Sequence, residues 1–313
     1  MPALVTDDDS LGRILKPNTD ILLVNEGFYM GRVNQGGYLG PYFPESKPDR
    51  VIRIALVGDS YVAGFQVFDR HHFRTIMQER LQRLVPDSVQ VLNFGFAGFN
   101  LERMYIYYKR RIATVRPDYV LFFIGMDDLT ESDKKIGPFC TLQDGRLLID
   151  DTFRDSPDYQ RIKALHRIRD TAFYSLHKKA LEMYLAGQTP RILFDKMAFL
   201  FSPVTVSAPQ DTVMTVPSDR LALAQKILRE LAQVKDPRVI LVVKNRLSEG
   251  MVRFIAAQNL PLFNPAGALD SLRTAGIDPN YWKSSSRSGH WNHHAHRAIG
   301  NYLASEMRKM MQE

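Results

Sequence analysis

The sequence predicts an α/β protein, a three-layer α/β/α sandwich around a central five-stranded parallel sheet of flavodoxin-like type. Short apolar runs of strand length recur along the chain, and each is followed by a stretch with helical spacing of its apolar residues. Strands that alternate with helices need crossover connections, so they lie parallel with helices on the sheet faces. Most of the runs end at glycine or in a turn, where a sheet would hand the chain to a loop.

Residues 1–50 are rich in Gly, Pro and Asn, with turn signals at Gly36-Gly37 and Gly40-Pro41, and read as an irregular arm with short extended pieces. The main domain is expected over 51–313. Its first strand is RIALV at 53–57, closed by Gly58, and a helix over 73–84 stops before Pro86. A second strand spans 89–94, a helix 101–115 ends before Pro117, and a third strand spans 119–124. The rhythm breaks over about 130–217, which reads as an insertion with helix-like stretches near 158–186 and 191–201. It resumes with a helix at 219–234, a strand at 239–244, a helix at 251–258, a strand at 260–264 and a last helix at 293–311.

Composition narrows the classes. The 313 residues are 45% hydrophobic and carry 41 basic against 34 acidic side chains, a net charge of +7. The densest basic run, Lys109-Arg110-Arg111, lies on a helix and reads as a solvated face; no common nucleic-acid-binding signature is present. No run approaches the ~18 apolar residues of a membrane span. The acidic start, Asp7-Asp8-Asp9, is not a signal peptide, so a cytoplasmic protein is expected, although an exported one without its leader reads the same way. Cys140 is the only cysteine, which excludes an internal disulfide.

The ligand site of an open parallel sheet lies at the carboxyl ends of its strands. Four segments place unusual residues there: Gly58-Asp59-Ser60 through Gly64, Asn93 through Asn100, Gly125-Met126-Asp127-Asp128, and Gly289-His290-Trp291-Asn292 through His296. A serine between a buried strand and a helix is either a helix cap or a presented hydroxyl beside backbone N–H groups suited to an oxyanion. Val62 stands where a nucleophile elbow needs glycine, and neither a dinucleotide fingerprint nor a phosphate loop is present, so no cofactor is expected. His290 and His294 have the spacing of zincin ligands, but Trp291 occupies the place of the general-base glutamate, and no metal is expected.

Taken in order, the four segments resemble the blocks of SGNH (GDSL-like) hydrolases, from about Arg53 to the C-terminal helix. The resemblance implies Ser60 as nucleophile, His290 as base, and an oxyanion hole from the backbone of Ser60 and Gly98, with Gly95 as the second choice. Two positions depart from the pattern. Asp127 replaces an asparagine that donates to the oxyanion; an ionised carboxylate has no donor and repels the charge forming there, so Asp127→Asn is expected to raise activity. The family acid lies two or three residues before the histidine, where Ser288 and Arg287 stand. A Ser–His dyad with His290 Nδ1 on a backbone carbonyl is therefore expected, with Asp127 or Asp128 as other candidates and Asp59, Asp128 and Ser288 as accessory groups.

The function expected is hydrolysis of small acyl esters, an O-acyl group on carbohydrate before a lipid, with no nucleic-acid partner. The rivals are an O-acyltransferase using the same serine and histidine, and a catalytically silent binding or scaffold protein. Ala198 to Phe201 and Met183 to Leu185 read as core packing or as a lid over an acyl pocket.

Overall fold

A computed structural model describes residues 4–24, 26–129, 132, 134–164, 171 and 216–312. The arm carries two antiparallel hairpins, β1 (Val5–Asp8) with β2 (Gly12–Leu15), and β3 (Asp20–Val24) with β4 (Phe28–Arg32). It is thus more regular than its Gly, Pro and Asn content suggests. Alternation explains this, because every second side chain of β3 and β4 turns inward. Ile21 and Tyr29 are buried in a small cluster with Leu39, Ala63 and Phe96, which docks the hairpin onto the main domain.

The domain proper runs β5 (Val51–Gly58), one-turn α1 (Ser60–Ala63), α2 (Phe73–Gln82), β6 (Ser88–Gly95), α3 (Leu101–Arg110) and β7 (Tyr119–Ile124). α3 is shorter than its apolar spacing suggests. A 3₁₀ turn at Ile112–Val115 follows it, and Arg116 takes a left-handed φ of 52° immediately before Pro117. Next come the β8 (Phe139–Gln143) and β9 (Arg146–Asp150) hairpin and α4 (Pro157–Ala164). The expected helical stretch at 191–201 and the two lid segments lie outside the described residues.

The chain continues with α5 (Ser218–Ala232), β10 (Arg238–Val243), α6 (Glu249–Ala257), β11 (Leu262–Phe263) and α7 (Ala266–Thr274). It closes with the short pair β12 (Tyr281–Trp282) and β13 (Arg287–Ser288), and α8 (His293–Gln312). The central sheet has the order β11-β10-β7-β5-β6, all parallel, as the sequence predicts. Its two faces carry separate cores. α3, α5 and α6 cover one through Met104, Leu228 and Ile255; α2, α7 and α8 cover the other through Met77, Leu269 and Leu303. Among the described residues no helix is long and apolar enough to cross a membrane.

Candidate active site

Ser60 opens α1 at the carboxyl end of β5, a central strand. Asp59 caps the turn: its carboxylate accepts the Tyr61 N–H at 2.9 Å, and Gly64 ends it with a φ of 63°. His290 is fixed by its sequence neighbours. Trp291 is 2% exposed and packs against Tyr61 and Phe73. Asn292 accepts the N–H groups of His294 and Ala295 as the cap of α8, and its amide donates to the Asp278 and Tyr281 carbonyls. The Trp282 indole N–H also donates to the His290 carbonyl at 2.9 Å.

These anchors bring together two side chains 230 positions apart, with His290 Nε2 lying 2.8 Å from Ser60 Oγ. The other ring nitrogen does not meet a backbone carbonyl. Nδ1 lies 2.9 Å from Oε2 and 3.0 Å from Oε1 of Glu26, and the His290 main-chain N–H donates to Oε2 at 2.8 Å. An ionised carboxylate can only accept, so the ring proton belongs on Nδ1 and Nε2 is left to accept from Ser60. Glu26 comes from the turn between β3 and β4. A carboxylate thus stands in the place that the local sequence leaves to Arg287 and Ser288, both of which are exposed on β13.

Two close approaches make room for Glu26. A Cβ on Gly289 would lie 2.3 Å from Glu26 Oε1, and one on Gly27 would lie 2.1 Å from the Gln66 carbonyl oxygen. The Ser285 hydroxyl donates to the Glu26 carbonyl at 2.7 Å, tying the hairpin turn to the loop that precedes the histidine. Glu26 and His290 side chains retain 13% and 26% exposure, so the pair is sheltered while the imidazole stays reachable.

At the end of β6, the Gly95 N–H is taken up by Asn93 Oδ1 at 2.9 Å. Gly98 has a left-handed φ of 83° and lines a small cavity with Phe96, Ala97 and Asn100. Asn100 caps α3 by accepting the Arg103 N–H and also accepts the Ser132 hydroxyl.

Asp127 and Asp128 do not reach His290 but join Lys244, the residue after β10. Its fully buried ammonium lies 2.7 Å from Asp59, 2.8 Å from Asp127 and 2.9 Å from Asp128. Burial alone would lower the lysine pKa, yet the three carboxylates hold it above its ordinary value. Burial would likewise raise Asp127, but the ammonium keeps its carboxyl below the usual range. Asp128 is pushed up to about 7, chiefly by burial and against the pull of Lys244. The three carboxylates, within 4.8 Å of one another, have the arrangement of a cation site, and the ammonium sits among them.

Among the described residues, His72, His293 and His296 have structural partners. His296 is buried and its Nδ1 accepts the Phe73 N–H, while His72 accepts the Arg74 N–H and faces the Val62 carbonyl. His293 stacks edge-on against Trp282 and His71.

Sequence reasoning missed Glu26 and Lys244. Glu26 carries no local signal, since it sits in a hairpin 264 positions from its histidine, and Lys244 directly follows a buried strand, as many lysines do. The only hint for Lys244 was a basic residue closing an otherwise apolar run, VILVVK.

No family model matches the chain, and no curated protein does. Among solved structures, a lipase/acylhydrolase from Enterococcus faecalis is similar at 14% identity and a TM-score of 0.44, over 83% of this chain and 96% of that one. The acetylxylan esterase Axe2 from Geobacillus stearothermophilus is similar at 11% identity and a TM-score of 0.42, over 82% of this chain and 94% of its own.

Proposed function

We propose that the protein is a serine esterase that hydrolyses small acyl esters, with Ser60 as nucleophile, His290 as general base and Glu26 as the acid of a triad. One observation carries the reading: a serine hydroxyl, both nitrogens of an imidazole and a carboxylate lie in one continuous hydrogen-bonded line. A silent binding protein has no need of that line. Two sequence features argue for silence, the missing acid and the charge of Asp127; Glu26 facing Nδ1 speaks against the first and the Lys244 ammonium on Asp127 against the second.

The chemistry follows from the donors. His290 Nε2 takes the hydroxyl proton as Ser60 Oγ bonds to the ester carbonyl carbon, and the carbonyl oxygen takes up the negative charge. The Ser60 and Gly98 N–H groups are the candidates to receive it, because Gly95 has given its own to Asn93. His290 then passes its proton to the departing alcohol. Water attacks acyl-Ser60 in the second half, giving the free acid and restoring the serine. Glu26 holds the imidazole in the required tautomer and stabilises the imidazolium that forms twice per cycle.

We assign the alcohol portion to a carbohydrate. In support, a cavity of about 530 Å³ is built from residues that flank the acid and the base in sequence, Gly27, Phe28 and Asn292 among them. Phe68, Tyr281 and Trp282 add aromatic faces, with Asp278 and Lys283 as polar groups. Apolar walls with few convergent polar groups suit a sugar ring, which has C–H faces and a hydroxyl edge.

Hydrolysis of a short-chain aryl ester by wild type and Ser60→Ala, with fluorophosphonate labelling of Ser60, tests the reading. Turnover and labelling that vanish in Ser60→Ala are expected; neither signal above the variant overturns it. Acylated polysaccharide then separates hydrolysis, which releases free acid, from transfer, which moves the acyl group to an added glycan.

A further inference from the structure

The geometry points to Lys244 as a positioning residue for this site: it fixes the nucleophile turn and makes an aspartate tolerable at position 127. The inference rests on the esterase reading. β10, β7 and β5 are neighbours in the sheet, and Lys244, Asp127-Asp128 and Asp59 follow their carboxyl ends in that order. The lysine main chain is itself tied to β7 by a 2.9 Å bond to the Ile124 carbonyl. Its side chain therefore bridges three strand ends, and each of the ammonium's three N–H directions has a carboxylate to meet.

Two links run from the ammonium to the reaction. The first goes through Asp59, which holds Lys244 with Oδ2 and the Tyr61 N–H with Oδ1, so the ammonium braces the turn that presents Ser60. The second goes through Asp127, whose Oδ2 bonds Lys244 and whose Oδ1 accepts from the Asn245 amide at 2.9 Å. Both oxygens are occupied on the side of β10. Without the ammonium, one side of this grip is gone, and an unpaired carboxylate is left at the position that the family resemblance gives to the oxyanion-hole asparagine. Tyr61 brings the cluster close to the base: its ring centre lies 5.5 Å from the Lys244 ammonium and 4.7 Å from that of His290. Burial of a lysine with three aspartates costs stability unless the charges are paired, so the test must separate folding from turnover.

The test is a double-mutant cycle on K244M and D127N, reading kcat and KM for an aryl ester beside circular dichroism, thermal melting and fluorophosphonate labelling. K244M is expected to lower kcat by about 10²–10³, the scale of losing one oxyanion interaction, with KM changed little. D127N alone is expected to raise kcat by no more than about fivefold, since Lys244 already offsets that charge. In the double variant, kcat should recover at least about tenfold over K244M, because the unpaired charge at position 127 has gone. K244M turning over like wild type, or a folded double variant no faster than K244M, overturns the inference. Should K244M not fold, K244Q with and without D127N carries the same comparison. Wild-type turnover no better than Ser60→Ala overturns the esterase reading and this inference with it, whereas wild-type turnover matched by K244M overturns this inference alone.

Discussion

Glu26 holds His290 at two points, the imidazole Nδ1 and the main-chain N–H, across 264 positions of sequence. The double contact fixes both the rotation of the ring and the path of the chain that carries it. An acid two or three residues from its histidine shares the histidine's own loop. Here the acid arrives on a separate hairpin, so the base is aligned only when the N-terminal arm is docked through Ile21 and Tyr29.

Glu26→Gln is expected to keep the shape of the contact and lose its charge. An amide can donate to Nδ1 and so favour the tautomer with its proton on Nε2, which cannot accept from Ser60. Removing the acid's charge in serine triads lowers turnover by up to ~10⁴; a fall of about 10²–10⁴ in kcat, with KM nearly unchanged, is the outcome to look for in aryl-ester kinetics. A variant within about threefold of wild type removes Glu26 from the mechanism.

Gly289→Ala tests the same contact without touching the acid. The new Cβ would sit 2.3 Å from Glu26 Oε1 and 2.4 Å from its Cδ, so the carboxylate must move. The end of a glutamate side chain moves cheaply, and the melting temperature should change by little. Turnover should drop at least about tenfold, on the principle that small misplacements of a positioning group are costly in rate. A large loss of melting temperature with proportionate loss of labelled protein would mean that the glycine serves the fold instead.

The sheet was legible because its strands are nearly continuous apolar runs, and Val91, Phe122 and Leu241 are all buried where the pattern puts them. Ser60 and His290 were legible because each sits in a short local motif at a strand or helix end. The arm was not, since its alternation is diluted by exposed Val24 and Met30, 71% and 63% exposed, and by its glycines. α7 was missed for a similar reason: Leu269 is its only buried residue, too little for a periodic stripe. Glu26 and Lys244 mark the limit of the method, because their meaning comes from partners supplied by distant elements. The local departures at 127, 287 and 288 were visible, but their compensation was not.

The cavity built from sequence neighbours of the acid and the base predicts a split between substrates. Phe28 is 41% exposed, lines the cavity and sits 5.4 Å from the Phe68 ring. Phe28→Ala removes one stacking face, worth about 1 kcal/mol, or roughly fivefold in affinity. KM for an O-acetylated oligosaccharide should rise by about that factor, while KM for a small aryl acetate, which does not fill the cavity, should stay put. Equal effects on both substrates would count against the cavity as the place of the sugar.

Two buried histidines predict an acid-sensitive fold. Burial and the Arg74 charge depress His72 to about 3, and burial beside His72 depresses His296 well below its ordinary value. The unfolded chain binds both protons as pH falls below about 6.5 and the folded chain does not, so each histidine removes about 1.4 kcal/mol of stability per pH unit. Asp128 acts in the opposite sense. Raised to about 7, it takes a proton in the folded state first and adds stability between about 7 and 3.8. Two losses against one gain leave a net decline of about 1.4 kcal/mol per pH unit between about 6.5 and 4 from these three groups. His72→Asn can keep the cap on the Arg74 N–H and has nothing to titrate. Urea unfolding at pH 7.5, 6 and 5 should therefore show a flatter pH dependence for the variant, whatever its stability at pH 7.5. Parallel curves for variant and wild type would show that the His72 proton does not set the acid limit.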